Sequence, residues 1–280
     1  MNRKTRSFIE VSLIYLFIAL MFVIISYPLL WTIGMSLNPG TSLYSASIIP
    51  KNASFEHYKW LFTNPESDYL IWYKNSLYVA FANSIISVFI TALIAYAFSR
   101  YRFVGRKYGL YAFLVLQMFP SLMAMVALYI VLNMLSLLDS LWGLILIYVG
   151  GQIPFNAWLV KGYFDTIPRE LDEAARIDGA GHLGVFFKIM LPLAKPILAV
   201  VALFNFMAPF TDFLIPSIVI RSPEKYTLAV GLFNFINDQF ANNFTRFAAG
   251  SILIAFPIAV VFLFLQRYLI TGLTAGGTKG

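Results

Sequence analysis

Six apolar runs, each near twenty residues long, narrow the folds open to this chain more than any other feature. They cover roughly residues 11–31, 77–98, 110–132, 141–160, 196–220 and 247–270. A helix of about 20 apolar residues crosses the hydrocarbon core of a bilayer. Only 12% of the 280 residues are charged, whereas a soluble domain carries about 25%. The chain is therefore read as all-α integral membrane protein with six transmembrane helices. Residues 1–280 form a single domain, without an internal repeat or a soluble domain boundary. The first run follows a basic start, Arg3, Lys4 and Arg6. It is too long for the core of a signal peptide, and no small-x-small cleavage site follows it. It is expected to be a spanning helix, not a removed leader.

Orientation follows from the basic residues. With the N-terminus in the cytoplasm, the stretches on that side hold Arg100, Arg102, Arg106, Lys107, Lys161, Arg169, Arg176, Lys188, Lys195, Arg267 and Lys279 besides the basic start. The opposite side holds only Lys51, Lys59, Lys74, Arg221, Lys225 and Arg246. The positive-inside rule then places both termini, and the loop 164–195, in the cytoplasm.

That loop is the wettest part of the chain. Pro168 to Pro192 reads PRELDEAARIDGAGHLGVFFKIMLP. Thr166 is an expected N-cap with Pro168 in the first turn. Glu170, Asp172 and Glu173 follow at the positive end of the helix dipole. Leu171, Ala174 and Ala175 share one small apolar face. Gly179 stands where the helix should stop in a left-handed turn. A second short helix is expected from His182 to Ile189, with Pro192 turning the chain out of helix. Two readings fit: a knob that enters a cleft of a partner, with Glu173 pairing a basic residue, or a connecting loop lying on the membrane surface.

Several spans carry polar groups and breaks. Asn83, Ser84, Ser87 and Thr91 suit helix–helix contacts in the second. Pro120 should kink the third, and Gly150, Gly151, Gln152 and Pro154 should break the fourth where backbone faces protein or a water-filled path. The candidate path residues are Gln117, Gln152, Asn156, Asn205, Thr211 and Asp212, with Phe206 and Phe210 as aromatic neighbours. Each serves equally well as packing glue between helices. Asp212 is the most expensive of them to bury. Outside the spans, Phe55 to Phe62 should form a short amphipathic helix containing His57, and 221–245 an amphipathic loop.

Much chemistry is excluded. The chain has no cysteine and two histidines, His57 and His182, so disulfides, thiol catalysis and a metal site are not expected. No catalytic set is present, and nothing suggests nucleic acid. Gly272-x4-Gly277-Thr278-Lys279 has the wrong order for a phosphate-binding loop, which needs Gly-Lys-Thr between a strand and a helix. Any ATP must be bound by a partner, and no cofactor is expected.

Glu173-Ala174-Ala175, three residues, Gly179, nine residues, Ile189-x-Leu191-Pro192 resembles the coupling (EAA) loop of bacterial ABC-importer permeases, of the binding-protein-dependent inner-membrane component family. SFEHYKWLF (Ser54 to Phe62) and YKNSL (Tyr73 to Leu77) are similar to sugar-importer permeases. YTLAVGL (Tyr226 to Leu232) and LITGLTAGGTKG (Leu269 to Gly280) resemble the MalG-type subunits of maltose and maltodextrin importers. The resemblance implies one ABC transporter type-1 transmembrane domain in the bacterial cell membrane. It implies a MalF-type second permease, a homodimeric cytoplasmic ATPase docked on 164–195, and an extracytoplasmic sugar-binding protein. It implies that the tail 271–280, with Gly272, Leu273, Thr274, Gly276 and Lys279, reaches the ATPase, and that the loop Arg221 to Asn243 meets the binding protein. The cargo would be an oligosaccharide, with raffinose-type sugars or glycerol phosphates as alternatives within the family. A proton-coupled transporter using Asp212 and an intramembrane enzyme are the readings outside it.

Overall fold

Runs that are apolar on every side become long helices, because in lipid each backbone group must bond within its own segment. A computed structural model describes residues 3–41, 48, 50–237 and 242–277, and for 3–8, 121 and 270–277 the backbone alone. It is all-helical, and no strand occurs among the described residues. The helices are α1 (Arg3–Ser36), α2 (Glu56–Thr63), α3 (Tyr69–Arg100), α4 (Arg106–Gln117), α5 (Ser121–Met134), α6 (Leu141–Thr166), α7 (Arg169–Ile177), α8 (His182–Val185), α9 (Leu191–Leu193), α10 (Lys195–Thr211), α11 (Leu214–Val219), α12 (Leu228–Phe233) and α13 (Phe244–Gly277). Four of them are long and apolar enough to cross a membrane, and two sharply bent pairs raise the number to as many as six.

The chain packs as two units, residues 1–69 with 232–255 and residues 70–231 with 256–280. In the first, α1 presents an apolar surface along its length, Phe22 and Leu13 among the exposed residues. Beside it α2, the short helix expected there, is fastened by side chains. Tyr58 donates from its hydroxyl to Ser36 Oγ at 2.8 Å, and His57 Nε2 lies 3.0 Å from the Asn38 carbonyl. The guanidinium of Arg246 sits 3.5 Å from the Trp60 ring centre, and Tyr69 donates to the Gly250 carbonyl at 3.1 Å. His57 is thus a packed histidine of α2.

In the second unit α6 is the centre, with α4, α10 and α11 packed along it. Val79 of α3 joins Leu144, Ile145, Tyr148 and Val149 of α6 in one apolar cluster. A second cluster joins Ala92, Ala95 and Tyr96 of α3 to Val160 and Phe164 of α6, and to Val185, Phe186, Met190, Ala194 and Val201 further on. It seats the 168–193 segment against the ends of the long helices.

Four local expectations need correction. The third run is two helices bent by 101°, because Pro120, lacking an N–H, begins a new helix at the break. The fourth is unbroken: Pro154 lies inside α6, and Gln117 Nε2 donates to the Gly151 carbonyl at 2.9 Å, bonding backbone that the missing side chains of Gly150 and Gly151 leave bare. The fifth stops at Thr211, where Asp212 takes extended backbone. Pro192 does not end the helix before it. A π-helical turn, Phe186–Met190, joins α8 to α9 with Pro192 in the first turn of α9, where an N–H is not needed. The bend of 79° falls instead between Leu193 and Lys195.

Candidate functional site

The helix–turn–helix expected at 168–192 is present, with its capping altered. Thr166 is not the N-cap of α7: it is the last residue of α6, and its hydroxyl donates to the Tyr163 carbonyl at 2.8 Å. Pro168 precedes α7 instead. Gly179 has φ +88°. Around it Ala180 N–H donates to Ala175 O at 2.9 Å and Gly179 N–H to Arg176 O at 3.0 Å, the paired bonds of a Schellman stop. The small apolar face is split: Ala175 packs inward with Ala180, Ile189 and Leu191 at the edge of the core, whereas Leu171 and Ala174 face outward. Ile177 and Leu183 are 86% and 68% exposed. Glu173 is exposed and has no ion-pair partner among the described residues. Pro192 is exposed as well. The surface left uncovered by α7 and α8 is thus apolar with a free carboxylate on it. His182 is exposed, its Nδ1 3.2 Å from Arg176 Nη2.

One feature of this region escaped the sequence reading. Arg100, the last residue of α3, pairs through Nε with Asp172 of α7. The two side chains are only 4% and 6% exposed. Nη1 donates to Phe164 O and Ser99 Oγ, both at 3.1 Å, and Nη2 to Ile167 O at 2.9 Å, with Met190 Sδ at 3.5 Å. Nearby, Ser99 Oγ donates to Asp165 Oδ1 at 2.7 Å and Lys161 Nζ lies 2.5 Å from Asp165 Oδ2. The available signal was Asp172 itself, three residues before the inward Ala175 and so on the same packed face.

Four polar residues of the spans, Asn83, Gln152, Asn156 and Asn205, form one connected row. Asn83 Nδ2 donates to Asn205 O at 2.7 Å and to Gln152 Oε1 at 3.2 Å, and Asn156 Nδ2 donates to Asn205 Oδ1 at 3.1 Å. A groove of about 590 Å³ runs past Gln117, Gly151, Gln152, Asn156 and Asn205. It shares Gln117, Gly151 and Gln152 with a second groove of about 980 Å³ that reaches Tyr148, Thr211 and Asp212. Phe206 and Phe210 are not in it. They are 1% and 2% exposed, their rings tilted against each other at 5.5 Å, with Phe81 against Phe206. The aromatics that line the grooves are Phe119, Tyr148, Phe155 and Phe204. Asp212 accepts from Tyr148 OH at 2.9 Å through Oδ2, and from the amides of Leu214 and Ile215 at 2.9 and 3.3 Å through Oδ1. It caps α11, which explains how a carboxylate is tolerated there.

At the other end of α6 the segment after α11 is clamped. Asp139 Oδ1 accepts from the amides of Arg221 and Ser222, both at 2.9 Å, and Oδ2 from Ser222 Oγ at 2.6 Å and Lys225 Nζ at 2.9 Å. Burial alone would raise the Asp139 pKa, but the bonds from Ser222, Lys225 and Arg221 hold the carboxyl well below the usual carboxylate range. Beyond the clamp Thr227, Leu228 and Val230 are buried, so the expected loop Arg221 to Asn243 includes a packed helix, α12. Residues 238–241 of that loop lie outside the described residues. Gly272, Leu273, Thr274 and Gly276 of the expected tail continue α13, and Lys279 lies outside the described residues. Among the described residues no group of His, Cys, Asp or Glu could hold a metal ion.

Comparison with known proteins gives this arrangement a family. The model of the binding-protein-dependent transport system inner membrane component matches residues 85–274. Over 280 residues the chain is 52% identical to the galactooligosaccharides transport system permease protein GanQ of Bacillus subtilis (strain 168), with all of this chain and 99% of that one covered. It is 48% identical to the maltodextrin transport system permease protein MdxG of the same organism, with both chains fully covered. The maltose/maltodextrin transport system permease protein MalG of Escherichia coli (strain K12) is 39% identical, with 100% and 98% covered. In fold it is similar to a chain in the crystal structure of a bacterial ABC transporter involved in the import of the acidic polysaccharide alginate, with TM-score 0.78, 24% identity, and 96% and 98% covered. An all-helical chain with these apolar spans and this match belongs to the family of binding-protein-dependent transport system inner membrane components.

Proposed function

We propose that this chain is one of two permease subunits of an ATP-driven oligosaccharide importer in the bacterial cell membrane, most of all for maltodextrins. It spans the membrane six times, with α4 and α5 together as the third span and α10 and α11 as the fifth, and both termini are cytoplasmic. The whole chain is then one type-1 transmembrane domain. The observation that carries the reading is the uncovered surface of α7 and α8, where exposed Leu171, Ala174, Ile177 and Leu183 surround Glu173, which has no ion-pair partner among the described residues. Apolar surface rimmed by charge on a membrane protein's polar segment suits a protein partner.

In this reading a homodimeric ATPase holds the nucleotide and seats α7 and α8 in a cleft. Glu173, Ala174, Ala175, Gly179, Ile189, Leu191 and Pro192 form or support the seated element, and the tail from Gly272 to Lys279 makes a further contact. The permease itself performs no catalysis and carries no cofactor. Gln117, Gln152, Asn156, Asn205, Thr211 and Asp212 line half of the path, closed by a MalF-type partner. Phe206 and Phe210 support it from behind. An extracytoplasmic binding protein delivers sugar near Arg221 to Asn243. The 52% identity to a permease named for galactooligosaccharides favours such sugars as a second reading of the cargo. Asp212 would be the proton carrier in a secondary transporter, yet both of its oxygens are engaged in fixed bonds.

The test is uptake in proteoliposomes containing the chain, its second permease, the ATPase and the binding protein. Radiolabelled maltotriose should enter only with ATP inside, and competition by galactooligosaccharide decides between the two cargoes. Uptake driven by a proton gradient without ATP would refute the reading.

A further inference from the structure

We propose that Arg100 is a positioning residue that locks the coupling helix α7 to the second and fourth spans, so that all three move as one body when the ATPase displaces α7. This rests on 164–195 being the loop that docks the ATPase.

A guanidinium has five N–H donors in a fixed plane. Here each has an acceptor: Asp172 Oδ2, Ser99 Oγ, Phe164 O, Ile167 O and Met190 Sδ. Those acceptors belong to four pieces of chain, namely the end of α3, the end of α6, the start of α7 and the π-helical turn. Phe164 O and Ile167 O are carbonyls at and just past the end of α6: Phe164 O also accepts from the Ile167 N–H at 3.2 Å, and Ile167 O lies beyond the last turn, where helix acceptors run out of internal donors. Asp172 lies in the first turn of α7, where the helix dipole favours a carboxylate. One side chain thus completes two helix ends and ties both to a third.

Stability alone is a weak reason for such a group. A buried ion pair adds little over well-packed apolar residues of similar volume, and Asp172 Oδ1 is buried without a partner. What the group supplies is position: one charged bond holds α7, and the other four fix the guanidinium plane against the ends of α3 and α6 and the π-helical turn. The two spans it fixes carry the polar row. Asn83 stands on α3 and Gln152 and Asn156 on α6, and Asn83 lies about 25 Å along α3 from Arg100 at 1.5 Å per residue. A tilt of α7 therefore reaches the groove through two rigid helices.

The experiment compares Arg100→Lys, Arg100→Gln and Asp172→Asn with wild type in the reconstituted importer, measuring ATP hydrolysis, sugar uptake and ATPase co-purification together. Arg100→Lys keeps the charge and loses the fork. The expected result is an assembled complex that hydrolyses ATP while uptake per ATP falls about tenfold, the size of one lost charge-assisted hydrogen bond. An unchanged ratio in assembled variants overturns the proposal and leaves Arg100 a stabilising group only. Where a variant does not assemble, the wild-type bonding is probed directly. The chain has no cysteine, so spin labels at Glu170→Cys on α7 and Arg102→Cys beyond α3 report their separation in nucleotide-free and ATP-trapped complexes. One narrow, unchanged distance supports the lock. A separation that shifts between the two states overturns it. Failure of the coupling-loop reading shows differently, as a wild-type chain that takes no ATPase down with it.

Discussion

The turn at Gly179 separates folding from docking in a single position. Its φ of +88° is left-handed, and a Cβ built there meets nothing of this chain within 4 Å. Replacing Gly179 by Ala therefore costs this chain only the left-handed backbone term, about 1–2 kcal/mol. Asn, which tolerates that region, costs less. The Schellman bonds to Ala175 and Arg176 and the inward packing of Ala180 should hold the turn in place against a term of that size. If the open space above Gly179 is filled by the ATPase, however, any side chain intrudes, and Asp adds a charge to be desolvated. Insertion and melting temperature should then change little across Gly179→Asn, Gly179→Ala and Gly179→Asp, while ATP-dependent uptake falls in the order Ala, Asn, Asp. The assay is uptake normalised to permease in the membrane, with melting in detergent measured alongside. Wild-type uptake in Gly179→Asp would refute the docking of this turn. A loss larger for Ala than for Asn would show that backbone strain, and not contact, was responsible.

Three further perturbations have defined outcomes. Glu173→Lys should reduce ATPase co-purification about tenfold, the value of one charge-assisted contact, with permease insertion unchanged; equal yield counts against the contact. Asp139 has a lowered folded pKa, so its contribution is present above the unfolded value of about 3.9 and is lost as pH falls below it. Amide protection at 221–226, meaning exchange relative to the intrinsic rate at each pH, should be flat from about pH 7 to 5 and fall below about pH 4 in wild type, and Asp139→Asn should remove that step; a step that survives in the variant assigns it elsewhere. Gly231→Ala places a Cβ 2.1 Å from Trp72 Cδ2. Overpacking of that kind costs about 1–3 kcal/mol, visible as a lower melting temperature; an unchanged one would mean that the Trp72 ring moves freely aside.

Run length and composition carry the helices well, because lipid leaves the backbone no other choice. They carry breaks poorly. Pro120 opens a new helix at a break, as its missing N–H implies, but Pro154 stays inside α6; Gln117 from α4 donates to the Gly151 carbonyl beside it, and no local pattern foretells a donor 34 residues away. Pro192 is tolerated for a similar reason, since its place just after a π-helical turn puts its missing N–H in a first turn. At the 168–192 segment the turn at Gly179 was legible from one glycine after an acidic helix. The division of its face was not. Spacing groups Leu171, Ala174 and Ala175, and only the packing on Phe164, Phe186 and Met190 decides that Asp172 and Ala175 turn inward. Arg100 read as one of several charges in a basic loop. It becomes a hub only because α3 and α6 end where α7 begins. Phe206 and Phe210 illustrate the opposite error: a span's aromatics adjoin a polar row in sequence and point away from it in space.

The two ends of this polar system are built from bonds of unequal strength, and the difference bears on where movement occurs. The row in the spans is neutral amide to amide, Asn83 to Gln152 and Asn156 to Asn205. Bonds of that class between membrane helices average about 0.6 kcal/mol, because displaced groups find other partners nearby. Asn205 Nδ2 is buried without a partner, so the row already holds a donor ready for a different arrangement. At the far end a buried guanidinium faces a buried carboxylate and two helix carbonyls, and removing one member of such a pair costs about 3–5 kcal/mol. A displacement applied at α7 meets the stronger set first and passes it unbroken. It is relieved where bonds are weak and exchangeable, along Gln152, Asn156 and Asn205, which line the groove. A chain with the strengths reversed would let α7 swing free and leave the groove as it was.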